Sequence, residues 1–234
     1  MYTNATTQRI LIWMTLIMIA ILGVGYAGMM GFCPPPEPSL GASEVVALYK
    51  TNNMEFRVGV VLCLLSGGFL LPFSVVVSMQ MARLEKGIPG WSILQVICGG
   101  LGTIFLWGPP LIWGAAAFSV ERDPALTLLL HELAWLMFIT PLCVFPMQLG
   151  ALGMVALTNK KAEKVQAFPR WIGYLTLWQL VQSFGGLAAM LFKGGIFAWN
   201  GLFPFYLPFV LYGVWTVALS YTMLKAIKYQ ESHG

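Results

Sequence analysis

The stretch ILIWMTLIMIAILGVGYAGMMGF, residues 10–32, is an unbroken apolar run behind a single cation, Arg9. At about 1.5 Å per residue it is long enough to cross a hydrocarbon core of ~30 Å as a helix. It is longer than the apolar part of a secretory leader, and Phe32 ahead of Cys33 departs from the small-residue rule for cleavage, so it reads as an uncleaved first span. Further apolar runs follow at about 58–81, 91–118, 126–157, 171–192 and 202–226. Backbone groups in lipid must pair within their own structure, which leaves helices or closed barrels; long continuous runs select helices. The expected fold is an all-α integral membrane protein, a bundle of about six transmembrane helices forming a single transmembrane domain over residues 1–234.

Composition points the same way: 58% of residues are hydrophobic and 9% charged, against about a quarter charged in soluble domains. The formal net charge of +4 is spread in small groups between apolar runs, not gathered on a face, which argues against nucleic acid. In a six-span arrangement Arg9, Arg83, Lys86, Lys160, Lys161, Lys164, Arg170, Lys225 and Lys228 share one side. The other side holds Lys50, Arg57, Arg122 and Lys193, diluted by Glu37, Glu44, Glu55, Glu121 and Asp123. Basic loops stay in the cytoplasm, so both termini are expected there. Residues 33–57 then form an extracytoplasmic loop, in which the prolines after Cys33 forbid helix and Ser43 to Asn52 reads as a short amphipathic helix at the surface. Gly23, Ala27 and Gly31 recur every four residues and predict a close helix approach. Trp91, Trp171 and Trp199 fall at span ends, as an aromatic belt would.

The fourth run holds the one His-Glu pair. Asp123 and Pro124 form a good helix start, a capping acceptor before a proline at the first helical position. A continuous helix from there to Leu157, about 34 residues and ~50 Å, exceeds a hydrocarbon core, so either its first turns project outward or Pro141 and Pro146 bend it. Counted back from Leu157, His131 falls roughly 9 Å beyond the outer hydrocarbon edge, among headgroups and water. That depth favours a structural role at the interface. The rival is an enzyme at the outer leaflet with His131 as acid or base and Glu132 orienting it.

Other candidate ligand-binding residues are Gln148, Gln179 and Gln182 within the spans, and Arg57 and Arg122 at the outer rim. Gln179 and Gln182 are three apart and share a helix face, as an inter-helix hydrogen-bonding pair does. No metal or other cofactor is expected. His131 and His233 are the two histidines and fall on opposite sides, and Cys33, Cys63, Cys98 and Cys143 form no CxxC.

Four segments carry a resemblance: Phe32-Cys33-Pro34-Pro35-Pro36; Trp113 to Phe118 leading to Arg122-Asp123-Pro124; Phe168-Pro169-Arg170-Trp171-Ile172-Gly173-Tyr174; and Phe197-Ala198-Trp199-Asn200-Gly201-Leu202-Phe203. In these the chain resembles a group of uncharacterised multi-pass bacterial inner-membrane proteins. The resemblance implies a bacterial inner membrane and carries no activity. The functional expectation is a non-enzymatic membrane protein that binds or helps pass an apolar small molecule, or serves as a membrane subunit of a larger assembly. Its expected partners are membrane lipid, an apolar small molecule, and a protein partner or further copies of itself.

Overall fold

The computed structural model describes residues 4–141, 143–159 and 165–233. Lys160, Lys161 and Lys164, which contribute to the charge argument, lie outside the described residues. Among the described residues all regular structure is helical, as the composition requires.

Helix α1 spans Ala5–Gly23 and continues as a π-helical segment, Val24–Met29. A short helix α2, Ala42–Lys50, follows the proline stretch. Helices α3 (Asn53–Ser66) and α4 (Leu70–Ala82) join through a 3-10 turn at Gly67–Phe69, and α5 (Gly90–Gly102) runs into α6 (Ile104–Phe118) at Thr103. Then come α7 (Pro124–Ile139), α8 (Phe145–Thr158), α9 (Arg170–Ser183), the single turn α10 (Gly185–Ala188), and α11 (Leu207–His233), entered through a π-helical turn at Leu202–Tyr206. Four stretches are long and apolar enough to cross a membrane: Ala5–Met29, Asn53–Ala82, Gly90–Phe118 and Gly195–His233.

The fourth apolar run is not one helix. It breaks between Ile139 and Phe145, where Pro141 offers no N–H and forces Thr140 out of helical geometry (φ −113°, ψ 45°). At its start the expected cap is present, with the Asp123 carboxylate accepting from the Ala125 amide at 2.9 Å.

Neighbours in the chain are neighbours in space. Helix α1 packs on α3 and α4, α4 on α5, α3 on α6, α5 on α8, α6 on α7, α8 on α9 and α9 on α11, which returns to α1, so the bundle closes as a ring. Arg9 pairs with Glu231, and the Gln80 amide donates to Gln8 at 2.6 Å and to Gln230 at 3.2 Å. The start of α1, the last turns of α11 and the C-terminal end of α4 therefore sit at one end, here the terminal end. Mid-bundle, Gln148 on α8 donates to Ser74 Oγ on α4 at 3.1 Å. Glycine at position 99 of α5 makes room for this bond, because a Cβ there would lie 1.8 Å from Ser74 Oγ and 2.8 Å from Gln148 Nε2.

The Gly23/Ala27/Gly31 stripe is not a packing face within the chain. All three residues are exposed, and nothing lies within 4 Å of a Cβ built at Gly23 or Gly31. The close approach is made by Gly25, where a Cβ would meet the Gly59 carbonyl oxygen at 2.8 Å, as one on Gly59 would meet that of Gly25. The π-helical segment takes more residues per turn, so spacing by four no longer keeps residues on one side.

Two apolar clusters fill the ring. At the terminal end the cluster is mostly aliphatic, with Val76, Val77, Leu149, Leu152, Ile172 and Leu219 among its members. At the far end it is built on rings: Tyr26, Phe32, Tyr49, Phe56, Trp113, Trp135, Trp199 and Phe205.

Candidate functional site

His131 lies inside the far-end cluster. Its side chain is buried to 1% exposure, so the expected contact with headgroups and water is not what it makes. The cause is α2, which packs across α7 and buries Val45 and Tyr49, one turn apart on the same face. The amphipathic segment is thus a roof over the bundle. Its first turn is held by Glu44, whose carboxylate accepts from the Gly41 amide at 2.7 Å. Its end is tied down by Asn53, whose side-chain amide donates to the carbonyls of Tyr49 and Ala117 at 2.8 Å each.

From this roof the Tyr49 hydroxyl reaches His131 Nδ1 at 2.7 Å. Burial pushes the Tyr49 phenol pKa well above its ordinary value, so the hydroxyl keeps its proton, and in the imidazole tautomer with a bare Nδ1 it donates to that nitrogen. The imidazole proton then sits on Nε2. That atom is buried without a hydrogen-bond partner among the described residues.

Rings surround the pair. His131 makes edge contacts with Phe32 (6.3 Å between centroids), Tyr49 (5.7 Å), Trp135 (6.3 Å) and Trp199 (6.2 Å). Trp135, one turn on from His131, also meets Phe32 at 5.2 Å and Trp113 at 5.0 Å. Tyr26 completes the wall, 6.2 Å from Trp113 and 6.4 Å from Trp135. The Tyr26 hydroxyl and the indole nitrogens of Trp113 and Trp135 are buried and, like His131 Nε2, have no hydrogen-bond partner among the described residues. Natively folded proteins leave few buried polar atoms unpaired, so four within one group of touching rings is a concentration that needs a cause.

Glu132 is not part of this chamber. Adjacent residues on a helix point about 100° apart, and its carboxylate leaves the cluster to pair with the exposed Lys193 at 3.1 Å. Arg57 lies over the Phe118 ring at 5.0 Å, and Arg122 donates to the Ala115 carbonyl at 3.1 Å. Gln148 is committed to Ser74 at mid-bundle. Gln179 and Gln182 are buried on α9, between α8 and α11; Gln179 Oε1 and both amide atoms of Gln182 lack partners among the described residues, so the pair does not bond to itself.

Several chamber residues escaped the reading of the sequence. Trp199 is buried instead of belonging to a belt, and its indole N–H donates to the Pro36 carbonyl at 2.8 Å, tying the proline stretch to the segment before α11. Tyr49 and Tyr26 carried no motif, and Trp113 entered only as part of a resemblance, with no role attached. A usable signal was the spacing of His131, Trp135 and Phe138, which puts three rings on one face of α7.

A groove of about 570 Å³ lies at the opposite end, at the turn between α4 and α5, lined by Glu85, Lys86 and Trp91. Its one carboxylate is already used: Glu85 accepts from the amides of Trp91 at 3.0 Å and Ser92 at 2.9 Å, capping α5. No group of three or more His, Cys, Asp or Glu able to hold a metal is present among the described residues.

No protein-family model matches the chain, and neither a curated protein nor a solved structure matches it.

Proposed function

We propose that this chain is a six-span protein of the bacterial inner membrane, with both termini cytoplasmic, that binds an apolar small molecule in the extracytoplasmic half of its bundle. The number of spans is supported by the four long apolar stretches, with α7 and α8 in tandem making a fifth crossing and α9 with α10 a sixth. The pairing of Arg9 with Glu231 supports an even number, since it holds the two termini at one end. Orientation rests on the excess of Lys and Arg at that end. The inner membrane of a bacterium is supported by the resemblance of the proline stretch and the later motifs.

One observation carries the binding function: His131 Nε2, the Trp113 and Trp135 indole nitrogens and the Tyr26 hydroxyl are buried together, unpaired, inside an aromatic wall. Ligand sites in membrane bundles have this make-up, a mostly apolar lining with a few convergent polar groups. An enzyme using His131 with Glu132 finds no support in the direction of Glu132.

Native mass spectrometry of the chain gently extracted from its own membrane tests the proposal. The expected result is one bound small molecule per chain, at reduced occupancy in Trp135→Phe while the variant keeps its circular dichroism. A bare chain with a stoichiometric protein partner would overturn the binding reading and make the chain a subunit of an assembly.

A further inference from the structure

We infer that the ligand of the far-end chamber is a neutral flat ring bearing carbonyl oxygens, of the quinone class, and that it binds by taking the place of the Phe32 ring. The inference rests on the small-molecule reading above and adds the chemistry of the ligand.

Neutrality follows from the surroundings. Charged groups around this end of the bundle are engaged elsewhere: Glu132 with Lys193, Glu121 with Lys50, Arg57 over Phe118 and Arg122 on the Ala115 carbonyl. The named wall residues are all uncharged, so an ionic ligand would be buried without a counter-charge.

The need for acceptor oxygens follows from the hydrogen-bond inventory. The indole nitrogens of Trp113 and Trp135 are donors and nothing else, and His131 Nε2 carries the proton when Nδ1 accepts from Tyr49. The Tyr26 hydroxyl can donate as well. Four potential donors and no unpaired obligate acceptor within this group of rings call for an oxygen-bearing acceptor, and a carbonyl is one that brings no charge.

The shape follows from Phe32. Its ring lies among those of Tyr26, Phe56, Trp113, His131 and Trp135, at 6.1, 5.3, 5.0, 6.3 and 5.2 Å. Those five rings are carried on helical segments, whereas Phe32 stands in the irregular stretch after Gly31. Gly31 has φ +67° and open space around it, a left-handed joint that glycine adopts freely. Phe32 is therefore a wall ring that can leave without unwinding a helix, and unlike Trp199, which also stands outside a helix, its side chain is not held by a hydrogen bond. What takes its place contacts the same faces and edges, which a planar ring does best.

The test is calorimetric titration of the full chain in detergent micelles with duroquinone and with durene, the same tetramethylbenzene ring without carbonyls, against micelles alone. Duroquinone is fully substituted, so it does not add to Cys33 or the other thiols. The expected result is saturable binding of one duroquinone per chain, at least tenfold tighter than durene. Trp135→Phe should weaken duroquinone about tenfold and leave durene unchanged, as removal of one donor does. Phe32→Ala should bind duroquinone more tightly than the parent chain, because the competing ring is gone; should Trp135→Phe fail to fold, Trp113→Phe serves in its place. Equal affinity for the two probes would overturn the carbonyl requirement and leave the apolar-ligand reading standing. Weaker duroquinone binding to a folded Phe32→Ala chain would overturn displacement of Phe32. Absence of binding by either probe, to the parent chain and to Phe32→Ala, would overturn both the inference and the reading beneath it.

Discussion

The two apolar clusters use tryptophan in opposite ways. Among the fully buried members of the terminal-end cluster the one side chain with a conventional polar donor is Trp215, and its indole N–H donates to Thr176 Oγ1 at 2.9 Å across α11 and α9. In the far-end cluster Trp113 and Trp135 are just as buried, yet their indole nitrogens bond to nothing among the described residues. Both environments are helical and closely packed, so burial by itself does not separate them. What separates the tryptophans is whether the indole N–H is spent within the protein. A spent donor joins helices, as in Trp215–Thr176 or Gln148–Ser74; an unspent one is available to a partner from outside the fold.

The largest effect that would break this comparison is expected at Gly99. Alanine there puts a methyl group 1.8 Å from Ser74 Oγ, forcing the Gln148–Ser74 bond apart, and should destabilise the chain by about 2–3 kcal/mol, read from its melting temperature in detergent. Gly23→Ala, with nothing within 4 Å, is the control and should leave the melting temperature unchanged.

Next in size is the contrast between the tryptophans. Trp215→Phe removes a made hydrogen bond as well as ring area and should cost about 1–2 kcal/mol more than Trp135→Phe, in which no protein hydrogen bond is lost. Equal melting temperatures for the two variants would remove the distinction between spent and unspent donors. Tyr49→Phe is smaller again, about 1 kcal/mol, since it leaves His131 Nδ1 buried without its donor.

The smallest effect belongs to Glu132→Ala. The Lys193–Glu132 pair is exposed on the lysine side (78%), so its loss should change stability by under about 1 kcal/mol. Ligand binding should be unchanged. A large loss of binding in this variant would return Glu132 to the site and revive the enzyme reading.

Reading the sequence placed the cap at Asp123 and the helical character of the fold, because each follows from local chemistry; a bend at Pro141 and Pro146 was one of two alternatives it left open for the fourth run. It misplaced the surroundings of His131 for an identifiable reason. Counting depth from Leu157 treats the run as one straight rod with nothing above it, whereas the chain breaks after Ile139 and α2 folds across the top. Trp199 misled in the same way, since an indole at a span end looks like a belt residue until the carbonyl of Pro36 is seen to meet it. The small-residue stripe is not used within the chain, where the close approach falls to Gly25 on the π-helical segment instead.

Composition and run length alone determined that this chain is helical and apolar enough for a bilayer, since unpaired backbone is intolerable in hydrocarbon whatever the tertiary arrangement. Which polar side chains are consumed by the fold and which are left over was decided only by the tertiary structure. Pairing depends on groups such as Tyr49 and His131, or Trp215 and Thr176, which are far apart in the chain, and no local pattern encodes their meeting.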